Sequence, residues 1–400
     1  MSVLIVGASA AGLATAETLR RKGFRDEITI LGAELHPPYD RPPLSKQFLQ
    51  GIWDEPRTHL RPPRLLSALD ATFLLGDPAI SLDGHTIHTA SGRSLTADHV
   101  VIATGMTPRS LPGPPLEGVH VLRSLDDATA LRKALCSLRE EGEVVGVRGA
   151  GEGPGGGHAE RPRGRVVVVG DGVLGAEVAA TARNLRLAVT LVGPQATPME
   201  AQLGAVVGGL LGELHGSEGV ELRMGAAVEG LVGVDGRATG VRLVGGEVVP
   251  ADVVVVALGA VPATGWLEGS GLTLENGVVC DEYCAAADGV YAAGDVARWS
   301  YDGTLVRLEN RTNATEQAMC VAANILGAKQ AYRPVPYFWT DQFGTRIQVH
   351  GRPAADLTIA EGNINDRFVA HYREGGRIVG VLGWNAPKQA RVHREQLVRA

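Results

Sequence analysis

Continuous apolar runs separated by helix-compatible stretches organise the start of the chain. The first run, Val3 to Val6, leads through a glycine turn into a helix-compatible stretch, Leu13 to Lys22, and a second run follows at Ile28 to Leu31. An uninterrupted apolar run is typical of a parallel strand covered on both faces. The pattern therefore predicts a strand, a helix and a second parallel strand at the N-terminus.

The same pattern returns after a segment of low complexity. Arg165 to Val169 predicts a strand, Ala176 to Leu185 continues as a helix, and Val189 to Val192 supplies the next strand. The intervening segment, residues 146–164, is glycine-rich and nearly free of apolar side chains. Such a segment cannot offset its ordering entropy by burial, so we predict a mobile insertion there.

Shorter patterns fill the rest of the chain. Alternating runs with turn residues predict small hairpins at Thr72 to Thr96 and at Val220 to Val249, and Ser124 to Glu141 reads as a helix. Hydrophobic alternation after Pro334 predicts a small β-rich C-terminal domain. The predicted fold class is α/β, with two Rossmann-like three-layer dinucleotide-binding domains and a small α+β C-terminal domain.

The glycine turns carry the candidate chemistry. In the first turn Gly7 permits a tight bend and Gly12 permits close helix packing, whereas Ser9 replaces the middle glycine; the second turn, Gly170-Asp171-Gly172-Val173-Leu174-Gly175, is an intact GxGxxG. A glycine turn that opens a helix presents backbone N–H groups to a phosphate. One such turn alone could bind nothing, but two in one chain predict two dinucleotides.

Acidic residues after the strands indicate how each ribose is bound. Glu34 lies about 20 residues after the last glycine of the first turn, where an acid accepts from a ribose hydroxyl. After the second strand of the second unit the chain has Gly193, neither an acid nor an arginine, which leaves NADH against NADPH open. Asp295 follows another predicted strand and either binds a polyol hydroxyl or caps the following helix.

Composition narrows the functional classes. The chain has 400 residues and a formal net charge of -6, which argues against general nucleic-acid binding. No apolar run reaches the ~18 residues that span a bilayer, and no signal peptide is expected. The four cysteines form no CxxC pair, and no CxxxxC lies near the first helix, so we expect a cytoplasmic protein without disulfide chemistry.

Six short motifs, in chain order, carry a resemblance that covers nearly the whole sequence. They are Pro42-Pro43-Leu44-Ser45-Lys46, Ala103-Thr104-Gly105, Gly175-Ala176-Glu177-Val178-Ala179-Ala180, Ala293-Gly294-Asp295-Val296-Ala297, Asn313-Ala314-Thr315-Glu316-Gln317 and Phe338-Trp339-Thr340-Asp341-Gln342-Phe343. With them the chain resembles the FAD-dependent ferredoxin reductases of oxygenase and cytochrome P450 systems, the putidaredoxin reductase-like branch of the pyridine nucleotide-disulfide oxidoreductases.

The resemblance implies a domain organisation. It assigns residues 1–110 and 245–325 to an FAD-binding domain, 111–244 to an NAD(P)H-binding domain and 326–400 to a C-terminal domain that covers the flavin. It also implies a small iron–sulfur ferredoxin as transient partner, with the chain a monomer or a homodimer. NADH is slightly favoured over NADPH as the co-substrate.

The same resemblance implies site residues. Lys46 would lie near flavin N5 and pair with Glu177, and Trp339 would lie beside the isoalloxazine; these three are the candidate catalytic residues. The candidate FAD contacts are Gly7, Ser9, Ala11, Gly12, Glu34, Arg41, Lys46, Ala79, Thr104, Gly105, Arg123, Gly294, Asp295 and Arg311. The candidate NAD(P)H contacts are Gly170, Gly172, Leu174, Gly175, Glu177 and Gly259.

The chain departs from its relatives at a few of these positions. Ser9 replaces a glycine, Ala33 precedes Glu34 where an aspartate is common, Gly193 replaces an acid, and Arg311 replaces a tryptophan. The last two put the nicotinamide preference and pocket in question. The expected activity is hydride transfer from NAD(P)H to FAD and single-electron transfer to a ferredoxin.

Two other functions remain open. One is an NAD(P)H oxidase or quinone reductase, and the other is an NADH-responsive redox sensor of the apoptosis-inducing-factor type. For a reductase, the candidate charges for docking an acidic ferredoxin are Arg298, Arg307, Arg311, Arg346, Lys388, Arg391 and Arg394, although a solvated basic face would look the same.

Overall fold

The computed structural model of the chain describes residues 1–147 and 164–398. The predicted mobile insertion, residues 146–164, lies outside the described residues except at its ends. Over the described part of the chain the strands are β1 (Val3–Val6), β2 (Ile28–Gly32), β3 (Thr72–Leu75), β4 (Ala79–Asp83), β5 (Thr86–Thr89), β6 (Ser94–Thr96), β7 (His99–Ile102), β8 (Met106–Pro108), β9 (Val119–His120), β10 (Arg165–Val169), β11 (Ala188–Gly193), β12 (Val220–Met224), β13 (Val228–Val234), β14 (Arg237–Leu243), β15 (Val248–Pro250), β16 (Val253–Val256), β17 (Ala260–Pro262), β18 (Val278–Cys280), β19 (Ala285–Ala287), β20 (Val290–Ala292), β21 (Ala297–Tyr301), β22 (Thr304–Val306), β23 (Tyr337–Gln342), β24 (Thr345–Gly351), β25 (Asp356–Gly362), β26 (Phe368–Glu374) and β27 (Arg377–Trp384).

The helices in the same ranges are α1 (Ala10–Arg21), α2 (Glu55–Thr58), α3 (Pro63–Ser67), α4 (Leu125–Val147), α5 (Val173–Asn184), α6 (Glu200–Ser217), α7 (Arg311–Ile325) and α8 (Pro387–Val398). A short 3-10 helix at Pro42–Ser45 has proline at its first position, and another spans Gly265–Leu267. Proline suits this place because its fixed φ matches a helical start and its missing N–H would have no partner there.

One compact unit consists of Met1–Asp40, Pro56–Thr107 and Ala260–Phe338. Its main sheet has the order β19-β20-β7-β1-β2-β3. All pairs from β20 to β3 are parallel, and every residue of β1 is buried, as its continuous apolar run predicts. A three-stranded antiparallel sheet, β4-β5-β6, belongs to the same unit.

The other compact unit consists of Arg41–Glu55, Pro108–Gly259 and Trp339–Ala400. It contains a fully parallel sheet in the order β12-β11-β10-β16-β9. Towards the C-terminus the order β23-β24-β27-β26-β25 forms a second sheet. There Val369 and Val381 form a small core with Ala386 and Ala390, at the start of α8. The predicted α/β class and the β-rich C-terminal region are confirmed.

Three segments differ from the sequence prediction. β16 pairs with β10 in the second parallel sheet, so residues 245–259 do not join the first dinucleotide fold, which the chain re-enters at Ala260. β3 and β12, read as hairpin strands, pair in parallel with β2 and β11. Both are edge strands of their sheets, and an edge strand is less completely covered, which gives it a hairpin-like mixture of apolar and polar positions.

The described residues contain no helix long and apolar enough to cross a membrane. Nor do they contain a cluster of three or more histidine, cysteine or acidic side chains suited to a metal ion.

Candidate functional site

The first glycine turn joins β1 to α1 and is shaped by backbone contacts. A Cβ at Gly7, where φ is +126°, would lie 2.2 Å from the carbonyl oxygen of Ala103, and one at Gly12 would lie 1.9 Å from the carbonyl oxygen of Gly7. No side chain fits at either position. Ser9 is the N-cap of α1 in extended backbone, and its side chain makes no capping hydrogen bond. The backbone N–H groups at the start of a helix favour a bound anion.

The second glycine turn, between β10 and α5, repeats this construction almost atom for atom. A Cβ at Gly170 would lie 2.2 Å from the carbonyl oxygen of Ala257, and one at Gly175 would lie 1.8 Å from that of Gly170. Gly172 is the N-cap of α5 in extended backbone, and a Cβ there would meet nothing within 4 Å. Gly170 and Gly175 are therefore required by the fold, whereas Gly172 leaves space for a ligand.

Further predicted residues of the first unit lie around its turn. A Cβ on Gly294, where φ is +80°, would lie 3.2 Å from the Cβ of Ala11. Thr104 follows the neighbouring strand β7, and its hydroxyl donates to the carbonyl oxygen of Ala263 at 2.9 Å. Because the carboxyl ends of β1, β7 and β20 share one edge of the sheet, these residues are brought together where a dinucleotide binds.

Asp295 is not the cap of the helix that follows it. Asn310 caps α7, and its side-chain oxygen accepts from the backbone N–H of Asn313 at 2.7 Å. The turn at Gly294 is instead braced by Gln317, which is fully buried and accepts from the Gly294 N–H at 2.9 Å. The interpretation of Asp295 as a helix cap is therefore wrong, and its position suits a polyol hydroxyl.

Polar partners fix Glu34 and Arg311 in the first unit. The Tyr39 hydroxyl donates to the Glu34 carboxylate. The Arg311 guanidinium donates from Nε to Asp40 Oδ1 at 2.6 Å and from a terminal nitrogen to the Thr315 hydroxyl. Asp40 neutralises the charge that Arg311 brings to the start of α7.

Lys46 and Glu177 form a buried ion pair within the second unit. The Lys46 Nζ lies 2.7 Å from Glu177 Oε2, and the side chains are only 10% and 6% exposed. The Ser45 hydroxyl donates to the same carboxylate oxygen at 2.5 Å. The Thr181 hydroxyl, one turn further along α5, donates to the Ser45 carbonyl oxygen at 2.7 Å and ties this loop to the helix. The predicted pairing of Lys46 with Glu177 is thus present in the structure.

A chain of hydrogen bonds continues from the other oxygen of Glu177. The Thr340 hydroxyl donates to Glu177 Oε1 at 2.8 Å, Gln342 Nε2 donates to Thr340 Oγ1 at 2.9 Å, and His215 Nε2 lies 2.7 Å from Gln342 Oε1. All three side chains are buried. Three donors therefore converge on the Glu177 carboxyl group, from Ser45, Lys46 and Thr340, and one of them is a cation.

This chain of hydrogen bonds also determines which ring nitrogen of His215 carries the proton. Since Gln342 uses its amide nitrogen on Thr340, its oxygen accepts, and His215 carries its proton on Nε2. His215 Nδ1 is buried and has no hydrogen-bond partner among the described residues. Burial lowers the pKa of His215, only partly opposed by its bond to Gln342.

The remaining predicted residues take several places. Trp339 is half-buried on β23, and by the pleat of the strand it faces away from Thr340. Arg41 donates from Nε to the Arg123 carbonyl oxygen at 3.2 Å. The Gly259 carbonyl oxygen accepts from the Arg109 N–H at 3.0 Å. Leu174 lies in the first turn of α5, Gly105 lies just after β7, and Ala79 is the first residue of β4.

Sequence reasoning missed the side chains that support these residues. Ser45, Gln317, Thr340 and Gln342 occur in the quoted motifs, but no role was predicted for them, and His215 was not singled out. Their partners are distant in the chain, since Ser45 and Glu177 are 132 positions apart. The one available signal was a buried charge pair, because such a pair needs additional hydrogen-bond partners.

The structure has two parallel sheets, and in each a strand is followed by a glycine turn whose outer positions have no space for a Cβ. This arrangement defines an oxidoreductase fold with two dinucleotide sites. The family model described as pyridine nucleotide-disulphide oxidoreductase matches residues 1–318, and the reductase C-terminal model matches residues 337–400. The chain belongs to the pyridine nucleotide-disulphide oxidoreductase family, whose members use FAD and NAD(P)H. The predictions of family, enzyme class and cofactors are confirmed.

Individual relatives align over nearly the whole chain. Rhodocoxin reductase of Rhodococcus erythropolis is 34% identical and covers 99% of this chain and 89% of its own length. The ferredoxin–NAD(+) reductase component of the p-cumate 2,3-dioxygenase system of Pseudomonas putida is 33% identical, with coverage of 98% and 92%. The covalent putidaredoxin reductase–putidaredoxin complex aligns with a TM-score of 0.87, 28% identity and coverage of 99% and 92%.

Proposed function

We propose that this protein is the ferredoxin reductase of an oxygenase or cytochrome P450 system, with FAD bound in the first fold and NAD(P)H in the second. The observation that carries the proposal is the pair of glycine turns, each with an uncapped helix start, in a chain whose full-length relatives are named as ferredoxin reductases. Bound FAD would supply the redox chemistry of this reaction, namely hydride transfer from NAD(P)H and single-electron transfer to an iron–sulfur protein.

Residues of the first fold bind the FAD in this proposal. The first-turn amides of α1 receive the pyrophosphate, and Glu34 accepts from the adenosine ribose. Asp295 binds a hydroxyl of the ribityl chain and is oriented by the turn that Gln317 braces. Ala11, Thr104 and Gly294 are small or polar, so they allow the backbone to approach the cofactor closely.

Lys46 supplies a fixed positive charge for the flavin, and Glu177 holds that charge in place. Support comes from the burial of both side chains and from the donors that converge on Glu177. A buried ammonium group without a partner would lose its proton or leave the site. Trp339 is the aromatic side chain that packs beside the ring system.

No thiol takes part in the proposed reaction. All four cysteines are free, and burial raises the pKa of Cys280 to about 12, so that it stays a protonated thiol at neutral pH. Free thiols are also what a reducing cytoplasm maintains, and we place the protein there.

Helix α8 is the proposed docking element for an acidic ferredoxin. Four of the seven candidate docking residues, all arginines, are engaged with carboxylates: Arg298 with Glu275, Arg307 with Glu309, Arg311 with Asp40 and Arg346 with Asp341. Lys388, Arg391 and Arg394 lie on α8, and the described residues provide no ion pair for them. Lys388 and Arg391 are exposed, so their charge is available to a partner.

The first test is anaerobic stopped-flow absorbance of the purified holoenzyme mixed with NADH or NADPH, followed by a small acidic iron–sulfur ferredoxin. Rapid flavin bleaching and rapid ferredoxin reduction are expected. A long-lived charge-transfer complex with slow turnover would favour a redox sensor. Fast reduction of quinone or O₂, with no response to ferredoxin, would favour an oxidase or quinone reductase.

A charge reversal on α8 tests the docking element. Arg391→Glu is expected to raise the KM for ferredoxin about tenfold at low salt and to leave flavin reduction by NADH unchanged. Arg298→Glu, at a position already paired with Glu275, is the matched control. Equal effects of the two substitutions would contradict docking at α8.

A further inference from the structure

The second fold lacks a side chain at the end of β11 but keeps a negative charge there. Gly193 closes this strand, where dinucleotide folds place the acid that binds the adenosine ribose. A Cβ built on Gly193 would lie 2.2 Å from Asp171 Oδ2 and 2.3 Å from its Cγ. The carboxyl group of Asp171 therefore occupies the space that a side chain at residue 193 would fill.

Asp171 reaches this place from the glycine turn itself. It stands between Gly170 and Gly172, and it is 5% exposed. Its Oδ2 accepts from the Gln195 backbone N–H at 2.8 Å, and its Oδ1 accepts from Gln195 Nε2 at 2.7 Å. Gln195 Oε1 accepts from the Ala201 N–H at 2.6 Å, which fixes the orientation of the amide. The carboxylate is thus held by two neutral donors.

The charge on Asp171 is not neutralised by the protein. Among the described residues, the partners of its carboxyl group are the backbone and side-chain amides of Gln195, neither of which is a cation. A carboxylate offers about four lone-pair directions, and Gln195 uses two of them. Two acceptor positions and a full negative charge are left at the end of the strand where a coenzyme ribose binds.

The first fold has the reverse arrangement at the matching positions. Val6 pairs with Leu31, and Val169 pairs with Val192, so the same register makes Ala8 the counterpart of Asp171 and Gly32 the counterpart of Gly193. A Cβ on Gly32 would meet the Ala8 methyl group at 2.7 Å. Two residues beyond each strand end, the first fold has Glu34 and the second has Gln195. The acid therefore lies after the second strand in the first fold, as Glu34, and in the glycine turn in the second fold, as Asp171.

We infer that Asp171 is the coenzyme-specificity residue of the second fold, that it binds the adenosine ribose hydroxyls, and that it makes the enzyme specific for NADH. This inference rests on the proposed function. A 2′-phosphate carries a charge of roughly −1.5 to −2 at neutral pH. Two negative groups at one largely buried place repel each other, whereas ribose hydroxyls donate to the free acceptor positions of Asp171.

Equilibrium binding to the FAD-loaded protein provides the test. Dissociation constants for NAD⁺ and NADP⁺ are measured by calorimetry for the wild type and for Asp171→Asn, with the thermal unfolding midpoint recorded for both. We expect the wild type to prefer NAD⁺ by about 100-fold or more and Asp171→Asn to reduce this preference at least about tenfold. An unchanged ratio in a folded Asp171→Asn protein would overturn the inference.

A second variant moves the acid to where the first fold has it. Asp171→Ala combined with Gln195→Glu copies Ala8 and Glu34, and the preference for NAD⁺ is expected to return, whereas Asp171→Ala alone loses it. No recovery in the double variant would also count against the inference.

The inference and the proposed function fail in different ways. If NADH bleaches the flavin but the Asp171 variants keep the wild-type ratio of NADP⁺ and NAD⁺ dissociation constants, only this inference fails. If neither nucleotide binds or bleaches the flavin, the proposed function fails with it.

Discussion

The two dinucleotide folds of this chain share their backbone contacts and differ in their side chains. In both, the outer glycines of the turn are required, because a Cβ would lie 1.8 to 2.2 Å from a carbonyl oxygen. The middle position is free of this constraint: it holds Ser9 in the first fold, and Gly172 faces open space in the second. The outer glycines serve the fold, and the middle residue serves the ligand.

The helices after the two turns differ in the same way. Two positions beyond the last glycine, α1 has Ala14 and α5 has Glu177. Ala14 is a small apolar residue of the core, whereas Glu177 anchors the ion pair with Lys46. The two folds share their backbone geometry but differ at a few side chains. For this reason the helix α1 has an apolar residue where the helix α5 has a charged one.

The largest expected effect comes from making α5 resemble α1 with Glu177→Ala. Removing one partner of a buried ion pair leaves an uncompensated charge, which costs about 3–5 kcal/mol of unfolding free energy. Urea unfolding measures this loss. Lys46→Met together with Glu177→Ala should recover part of the stability, since no buried charge remains. Losses that simply add in the double variant would show that the two side chains do not interact.

A smaller loss is expected when the shared backbone contact is broken. Gly170→Ala and Gly7→Ala each force a Cβ against a carbonyl oxygen at a positive φ, so each should cost more than about 2 kcal/mol and similar amounts in the two folds. Gly172→Ala is the matched control, because its Cβ meets nothing within 4 Å. Thermal unfolding of the three variants measures the difference. Equal destabilisation by Gly172→Ala would contradict the division between fold and ligand positions.

The buried network of the second fold should also respond to pH through His215. Its pKa is lowered in the folded protein, so below the ordinary value of 6.5 the unfolded chain binds more protons than the folded one. The neutral His215 therefore contributes its full share of the unfolding free energy above pH 6.5. That share is lost as the pH falls from 6.5 through the lowered pKa. His215→Gln keeps a donor for Gln342, and its unfolding free energy should fall less between pH 7 and pH 5. A slope identical to that of the wild type would show that His215 is protonated without cost.

The smallest effects on stability are expected at the middle turn positions. Exchanging them, as Ser9→Gly and Gly172→Ser, should change the unfolding free energy by less than about 0.5 kcal/mol, because both residues are small and only half-buried. Ligand affinity should respond more, with NADH binding to Gly172→Ser weakened several-fold while Ser9→Gly retains its FAD. Fluorescence titration of each ligand measures this. A large loss of stability in either variant would place that position in the fold.

The sequence by itself determined the features that depend on neighbouring residues. Apolar runs predicted the strands β1, β2, β10 and β11, and the spacing of glycines predicted both turns, since a turn between strand and helix is specified within about ten residues. Six short motifs were sufficient for the family. Edge strands β3 and β12 were misread, because partial exposure gives a strand the pattern of a hairpin.

Only the tertiary structure decided which side chains complete the sites. Gly193 suggested that the second fold had lost its acid, and no local pattern connects it with Asp171, 22 positions earlier. The strand register brings the two together, since Val169 pairs with Val192. Likewise Ser45, Thr340 and Glu177 meet because separate segments fold onto one helix. Local patterns fix strands, turns and helices, but the partners of a buried charge come from distant parts of the chain, and folding alone selects them.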